Sequence, residues 1–398
     1  MRDTQRAWVE IDLDAIMHNL KTIKEHLGGK AKMMAVVKAD GYGHGATEVA
    51  KTALESGADW LGVALIDEAI QLRKADIDAP ILILGKVSGE CVGELFKYNI
   101  TPCVADVEFA RVLSEEAIKR NQKINVHIKI DTGMSRIGFL YNENIETQGK
   151  TIADICEVSK LSGIEIEGAF THFALADSYE KEYTDMQYSR FCDLMEKLSE
   201  KGIEIPLKHV SNSAATVNFP QMKMNMAREG IMTYGLKPSD ETDCEKLNLI
   251  PAMTFKTRIT HVKEVEEGTR ISYGGIYKAD RKKVIATLGV GYADGYSRLL
   301  SDKAEVVVKG KKVKQTGRIC MDQCMIDVTE VNNINIGDEV ILFGGGRDAE
   351  VSADDVAGLL GTINYEVVCM VAKRVPRVYI KDGKPVKSFN CLLCEDDL

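Results

Sequence analysis

The 398-residue chain predicts an α/β plus β architecture, an N-terminal (β/α)8 TIM-type barrel followed by a mostly β C-terminal domain. Three observations carry this. Eight short β-rich apolar runs alternate with amphipathic stretches from residue 33 to about 235. After about residue 240 the rhythm changes to alternating runs separated by glycine turns. Polar side chains recur just beyond the apolar runs of the first region, where a barrel carries its chemistry. The alternation alone also allows an open doubly wound sheet; the polar strand ends favour the barrel.

Taken in order, Ala7-Trp8-Val9-Glu10-Ile11 alternates as a strand that precedes the barrel and is expected to pair with the second domain. The eight barrel strands are predicted at Met33 to Val37, Trp60 to Ala64, Ile81 to Leu84, Ile100 to Val104, Asn125 to Ile130, Ile166 to Thr171, Leu207 to Val210 and Met226 to Tyr234. Between them Val49, Ala50, Ala53 and Leu54 give one apolar helix face, and Glu108 to Arg120 and Asp185 to Lys201 repeat the three-to-four spacing. In the second region Thr254 to Val262, Val284 to Val290, Ala304 to Val308 and Glu339 to Phe343 read as strands, and a helix follows Ser352 with an acidic first turn. The expected division is a strand over 1–10, a barrel over 11–240 and a β domain over 241–398.

A net charge of −9 without a long basic run argues against nucleic acid and anionic membrane as partners, so a small anionic ligand needs local positive charge. Neither a basic-then-apolar leader before Trp8 nor a run of about 18 apolar residues is present, which makes the cytoplasm the expected location. Ten cysteines without a repeated spacing fit reduced thiols. The pair Cys391-Leu-Leu-Cys394 is weak evidence for a metal site, and no metal is expected.

Lys38 ends an apolar strand and opens the glycine-rich turn Ala39-Asp40-Gly41-Tyr42-Gly43-His44-Gly45. An ammonium there is paired, deprotonated, joined to a carbonyl as a Schiff base, or simply extended to solvent. Glycines that let backbone approach a ligand, with Tyr42 and His44 as polar tips, favour the Schiff base. Further strand ends carry Lys129, Asp131 and Arg136; Thr171 and His172; His209, Asn212 and Ser213; and Arg228, Gly230 and Ile231. Singly, a strand histidine is a satisfied core group and Asn-Ser an ordinary helix cap; the clustering is the argument for one site. Ser213 and the Gly230-Ile231 backbone occupy the places after strands seven and eight where barrels hold a phosphate. No Walker A loop or dinucleotide fingerprint occurs, which leaves a phosphorylated aldehyde with Lys38 for its carbonyl and Arg228 for its ring nitrogen.

The strings VVKADGYGHG, HIKIDTGMSRIG, FTHFALAD, HVSNSAA, ISYGGIY, GVGYADGY and RICMDQ resemble, in order, those of alanine racemases, and the resemblance covers nearly the whole chain. It implies pyridoxal 5'-phosphate (PLP) on Lys38 and a homodimer whose sites combine the barrel of one subunit with the β domain of the other. It implies Lys38 and Tyr273, the latter from the partner subunit, as opposed catalytic bases, with His172 and Arg228 in support. Tyr42, Ser213, Gly230, Ile231 and Tyr365 would hold the phosphate, with His209 and Asn212 in the cofactor set. Arg228 would face the pyridine nitrogen, Arg136 the phenolic oxygen, and Met321 with Arg136 the substrate carboxylate. Lys129 matches a lysine that is carbamylated in some members, buttressing Arg136.

The implied reaction interconverts L- and D-alanine, supplying D-alanine for peptidoglycan. Two residues depart from the pattern: Glu229 follows Arg228 where a neutral residue is usual and is expected to face solvent, and Ser135 replaces a frequent glycine, a mild change. Serine or broader specificity is the nearest alternative, and Tyr365 favours alanine because a serine-specialised relative would have a smaller polar residue there. A PLP-carrier barrel lacks the segment beyond residue 240 and Tyr273; a decarboxylase would bring a cysteine loop from its partner, faintly echoed by Cys320.

Overall fold

The structure, a computed structural model, describes residues 4, 6–29, 31–346 and 350–393. Cys394 lies outside the described residues, and Cys391 is a free, exposed thiol.

Eight parallel strands form the first sheet: Lys32–Val36, Trp60–Val63, Ile81–Ile83, Thr101–Val104, Ile124–Asp131, Ile164–Phe170, Leu207–His209 and Met226–Glu229. The eighth pairs with the first, and Arg228 N–H donates to the Ser211 carbonyl (3.0 Å) while Asn225 N–H donates to that of Lys208 (3.1 Å), which closes the ring beside the seventh. Parallel strands with both faces covered read as continuous apolar runs, which is why they were visible in sequence. Inside the ring Met34, Trp60, Leu82, Cys103, Phe170 and Met226 pack as one cluster. The fifth strand is the exception: His127, Lys129 and Asp131 alternate along it and are all buried.

The helices start where short polar side chains accept from free N–H groups. Asp12 caps Leu13–His26 through Ala15 N–H (2.9 Å), Asp106 caps Val107–Lys119 through Phe109 N–H (2.8 Å), and Asn144 caps Ile145–Ser159. The eighth strand is shorter than expected. It stops at Glu229, and Ile231–Tyr234 forms a 3₁₀ turn after Gly230, because Thr233 N–H closes onto the Gly230 carbonyl instead of a neighbouring strand.

The second sheet runs Lys283–Leu288, Cys324–Asp327, Lys311–Thr316, Glu305–Val308, Glu339–Phe343, Met253–Val265, Ala7–Asp12, Arg377–Lys381 and Lys384–Phe389. An irregularity between Ile259 and His261 lets Met253–Val265 also pair with Lys283–Leu288, so six of these strands close on themselves. Ala7–Asp12 joins as expected, antiparallel to Met253–Val265 and parallel to Arg377–Lys381, with Ile11 opposite both Met253 and Tyr379. Ser352 and Asp355 form a reciprocal cap on the helix Ala353–Leu360.

The glycines of the lysine turn meet this second domain rather than a ligand. A Cβ on Gly43 would overlap the Val368 carbonyl and one on Gly45 the Tyr379 hydroxyl, and both residues have positive φ (82° and 95°). Gly41 packs on the Ala46 backbone. Gly45→Ala is expected to destabilise the fold by about 2–4 kcal/mol, from overlap plus backbone strain. Adding Tyr379→Phe should recover about 1 kcal/mol or more, since only the overlap is relieved; urea unfolding of the cycle measures both.

Candidate active site

At the mouth of the barrel a cavity of about 550 Å³ is lined by Lys38, Tyr42, Lys129, Arg136, His172, Asn212, Ser213, Arg228, Gly230, Ile231 and Tyr365, among others. That volume suits a small cofactor with its substrate. The cavity gathers the predicted strand-end residues of the barrel except Asp131, Thr171 and His209, with Tyr365 from the helix Asn364–Cys369.

Lys38 enters it because of an uncommon backbone. Ala39, Asp40, Gly41 and Tyr42 are all left-handed, with φ between 51° and 60°. Each non-glycine residue there costs about 1–2 kcal/mol, so the turn needs external ties. Ala39 N–H donates to Glu68 Oε1 (2.6 Å), Ala46 N–H to Asp40 Oδ1 (2.9 Å) and Gly45 N–H to the Asp40 carbonyl (2.8 Å). The result brings Lys38 and Tyr42 to one cavity. Burial, then the nearby Arg136 guanidinium, pushes the Lys38 ammonium below its usual range. His44 is not the polar tip expected: it is wholly buried against Tyr234 (4.5 Å between rings), and burial lowers it to about 4.

Arg228 is the best-held group. One terminal nitrogen donates to the His209 carbonyl (2.9 Å) and His209 Nδ1 (3.0 Å). The other donates to the carbonyls of Thr171 (2.8 Å) and Val210 (3.0 Å) and to His172 Nδ1 (3.2 Å). Among the described residues, Nε has no partner. Because arginine only donates, both imidazoles must accept at Nδ1 and carry their proton on Nε2. His209 then donates from Nε2 to His127 Nδ1 (2.8 Å), and its ring stacks on Phe170 at an interplanar angle of 6°. Burial and then the Arg228 charge drive His172 and His209 far below the ordinary histidine range, so both are neutral. His209 therefore sits behind Arg228, outside the cavity lining.

Opposite Lys38, Ser213 Oγ accepts from Gly230 N–H at 2.9 Å. A Cβ on Gly230 would stand 2.9 Å from the Tyr42 hydroxyl and 3.8 Å from Ser213 Oγ, so glycine keeps open a space bordered by two hydroxyls. Asn212 caps the following turn through Ala215 N–H (2.9 Å). Tyr42 and Tyr365 lie with ring centroids 6.2 Å apart. Lys129 is 3% exposed, with Nζ donating to the Ile130 carbonyl (3.1 Å) and lying over the Phe170 ring. Burial, then Arg228, lowers it to about 7.

Glu229 corrects the sequence reading: it is fully buried, and its Oε1 accepts from the Thr216 hydroxyl at 2.6 Å. Strand alternation was the available signal, since a side chain next to the inward Arg228 points at the covering helix. Ser135 is less innocuous than expected, because φ is +56° where glycine is strain-free. Tyr273 and Met321 lie outside this cavity, 69% and 53% exposed on the β domain. No group of three or more histidine, cysteine or acidic side chains that could hold a metal occurs among the described residues.

A closed parallel barrel whose strand ends bring a lysine, a buried arginine and a hydroxyl-edged recess to one cavity has the layout of a barrel-type enzyme. The family "Alanine racemase, N-terminal domain" matches residues 11–238, and "Alanine racemase, C-terminal domain" matches 252–379. An alanine racemase of Desulforamulus reducens is 50% identical over 94% of this chain and 98% of that protein. The solved alanine racemase of Clostridium difficile 630 superposes with a TM-score of 0.93 at 45% identity, covering 98% of this chain and all of that one. A histidine racemase of Leuconostoc mesenteroides has a TM-score of 0.85 at 29% identity, covering 95% and 98%. The chain belongs to the alanine racemase family and is an enzyme.

Proposed function

We propose that the chain interconverts L- and D-alanine with PLP in the barrel cavity, as a homodimer in the cytoplasm that supplies D-alanine for peptidoglycan. The observation that carries this is the convergence of Lys38, Arg228 and the Ser213–Gly230–Tyr42 recess on one cavity. The recess fits a phosphate, because the Gly230 space is empty of side chain and edged by hydroxyl donors. Lys38 would hold the aldehyde carbon, and Arg228 would present its free Nε–H to the ring nitrogen. His209 would act through Arg228, and Asn212 would border the cofactor. When bound, PLP supplies an electron-withdrawing ring conjugated to the amino acid, which weakens its Cα–H bond.

The chain's own residues then move the proton. Lys38, held below the usual lysine range, is the base on one face. Tyr273 serves the other face from a partner subunit; its exposure on the β domain, with Met321, Ile276 and Tyr292 also exposed, supports a role completed by a second copy. His172 offers its Nε2–H where it can stabilise a phenolate. Arg228, lowered to about 9 by burial, still carries its charge at neutral pH, so it donates without surrendering a proton. Arg136 and Met321 would bind the substrate carboxylate. Lys129, lowered to about 7, has a substantial unprotonated fraction at neutral pH, the form that takes up carbon dioxide, and its carbamate would neutralise the cluster beside Arg136. Tyr365 narrows the mouth beside Tyr42, which supports alanine over longer side chains. A histidine racemase shares the fold, so the fold alone does not set the substrate.

Purified protein incubated with PLP and either enantiomer of alanine should yield both, without carbon dioxide release; decarboxylation or an inert, cofactor-loaded protein would refute the assignment. Lys38→Ala should lose the visible absorbance of lysine-bound cofactor, and a retained band would remove Lys38 from its role. Tyr273→Phe should keep that band, lower racemisation about 10²-fold or more, and slow proton removal from one enantiomer far more than the other. Equal slowing would contradict opposed bases. Carbon NMR in isotope-labelled bicarbonate buffer should show a carbamate resonance in the wild type that is missing from Lys129→Ala; no such resonance in the wild type would exclude the carbamate.

A further inference from the structure

Glu229 is a buried ionisable group that the proposed reaction does not employ. It leaves the eighth strand on the face opposite Arg228 and lies between that strand and the short helix Ser213–Asn218. Oε1 accepts from Thr216, whereas Oε2 is buried and has no hydrogen-bond partner among the described residues. The Ser213 hydroxyl is close enough to act on the carboxyl but makes no bond to Oε2.

That arrangement sets up competition for one proton. Ser213 Oγ already accepts from Gly230 N–H, so its single O–H can point back to Oε2 or forward into the recess. With the carboxylate ionised, Oε2 is the stronger acceptor and the recess faces a lone pair and a negative charge. With the carboxyl protonated, its own O–H can donate to Ser213 Oγ, and the serine proton is free for an anion in front. We propose that Glu229 is a positioning residue of the recess, which must carry a proton for Ser213 to donate to the cofactor's phosphate, so that cofactor binding takes a proton from solvent. This rests on the reading of the cavity as a PLP site.

The surroundings agree. The charged or titratable groups that act on Glu229 are Arg228 on its own strand and Cys244 from the segment after the barrel, a thiol that burial keeps neutral by raising it to about 11. The helix contributes only the hydroxyls of Ser213 and Thr216. Burial raises Glu229 to about 7 against the opposing pull of Thr216, Ser213 and Arg228. A carboxyl raised in this way is neutral below that pH and ionises above it, so anion affinity is lost as pH rises through 7.

The test is PLP affinity, followed by the absorbance of bound cofactor, from about pH 6 to 9 in the wild type and Glu229→Gln. Near pH 6 the two should agree within about threefold; near pH 9 the wild type should be weaker by about tenfold or more, the difference cancelling the cofactor's own ionisation. Calorimetry near pH 8 in two buffers of different ionisation heat should count more proton uptake in the wild type, by a difference approaching one proton. Thr216→Val, which removes a donor to the ionised form, should move the wild-type transition to higher pH, and this holds the test open if Glu229→Gln fails to fold. Parallel curves, equal proton counts or an unmoved Thr216→Val transition overturn the inference. Absence of PLP binding in every form at pH 6 instead overturns the cofactor reading beneath it.

Discussion

The buried guanidinium of Arg228 is the interaction on which the site depends. A cation withdrawn from water is costly unless most of its donors are met, and here the carbonyls of Thr171, His209 and Val210 and two imidazole nitrogens meet the four terminal N–H bonds of the five. Those acceptors come from the ends of the sixth and seventh strands, while Arg228 sits on the eighth. One side chain thereby fixes three strand ends, and its inability to accept fixes the tautomers of His172 and His209. The remaining Nε–H is left as the donor for the cavity.

The same charge sets the electrostatics of its neighbours. Arg228 contributes to the lowering of His172, His209 and Lys129, and Arg136 to that of Lys38 and Arg228 itself. The mouth of the barrel is thus locally cationic in a chain whose net charge is −9. Charge counting over the whole sequence could not show this, because the excess of acids is spread over the surface. Local positive charge without an anion is repulsive, and the phosphate and carboxylate of the proposed cofactor and substrate would relieve it. The anion recess and the lowered amines are two expressions of one field.

The barrel was legible because strands covered on both faces are short apolar runs, and the polar residues after them mark the mouth without knowledge of packing. What sequence misplaced depended on neighbours distant in the chain. The sequence suggests that Gly43 and Gly45 make room for a ligand, but they make room for Val368 and Tyr379, more than 300 residues away. His44 and Glu229 were assigned to the site or to solvent, yet the covering helix and the second domain bury both. The sequence overextends the eighth strand because Ile231, Met232 and Tyr234 are apolar and buried in either conformation. Tyr273 and Met321 are legible only through resemblance, since both are exposed on the β domain outside the cavity that holds Lys38.

The lysine turn shows why the second domain matters to the first. Three non-glycine residues in left-handed geometry cost about 3–6 kcal/mol together, which other contacts must offset. Glu68 and Asp40 provide local ties, but the turn is also clamped from outside. Arg377, buried, donates from Nε to the Gly43 carbonyl (3.2 Å) and from its terminal nitrogens to the carbonyls of Ala372, Val375 and Val371. The β domain therefore holds the backbone that aims Lys38, and its attachment through Ala7–Asp12 keeps that hold in register. A barrel severed from this domain would lose the external support of the turn, and with it the direction of the amine. The two domains are joined by the requirement that one lysine point into the cavity.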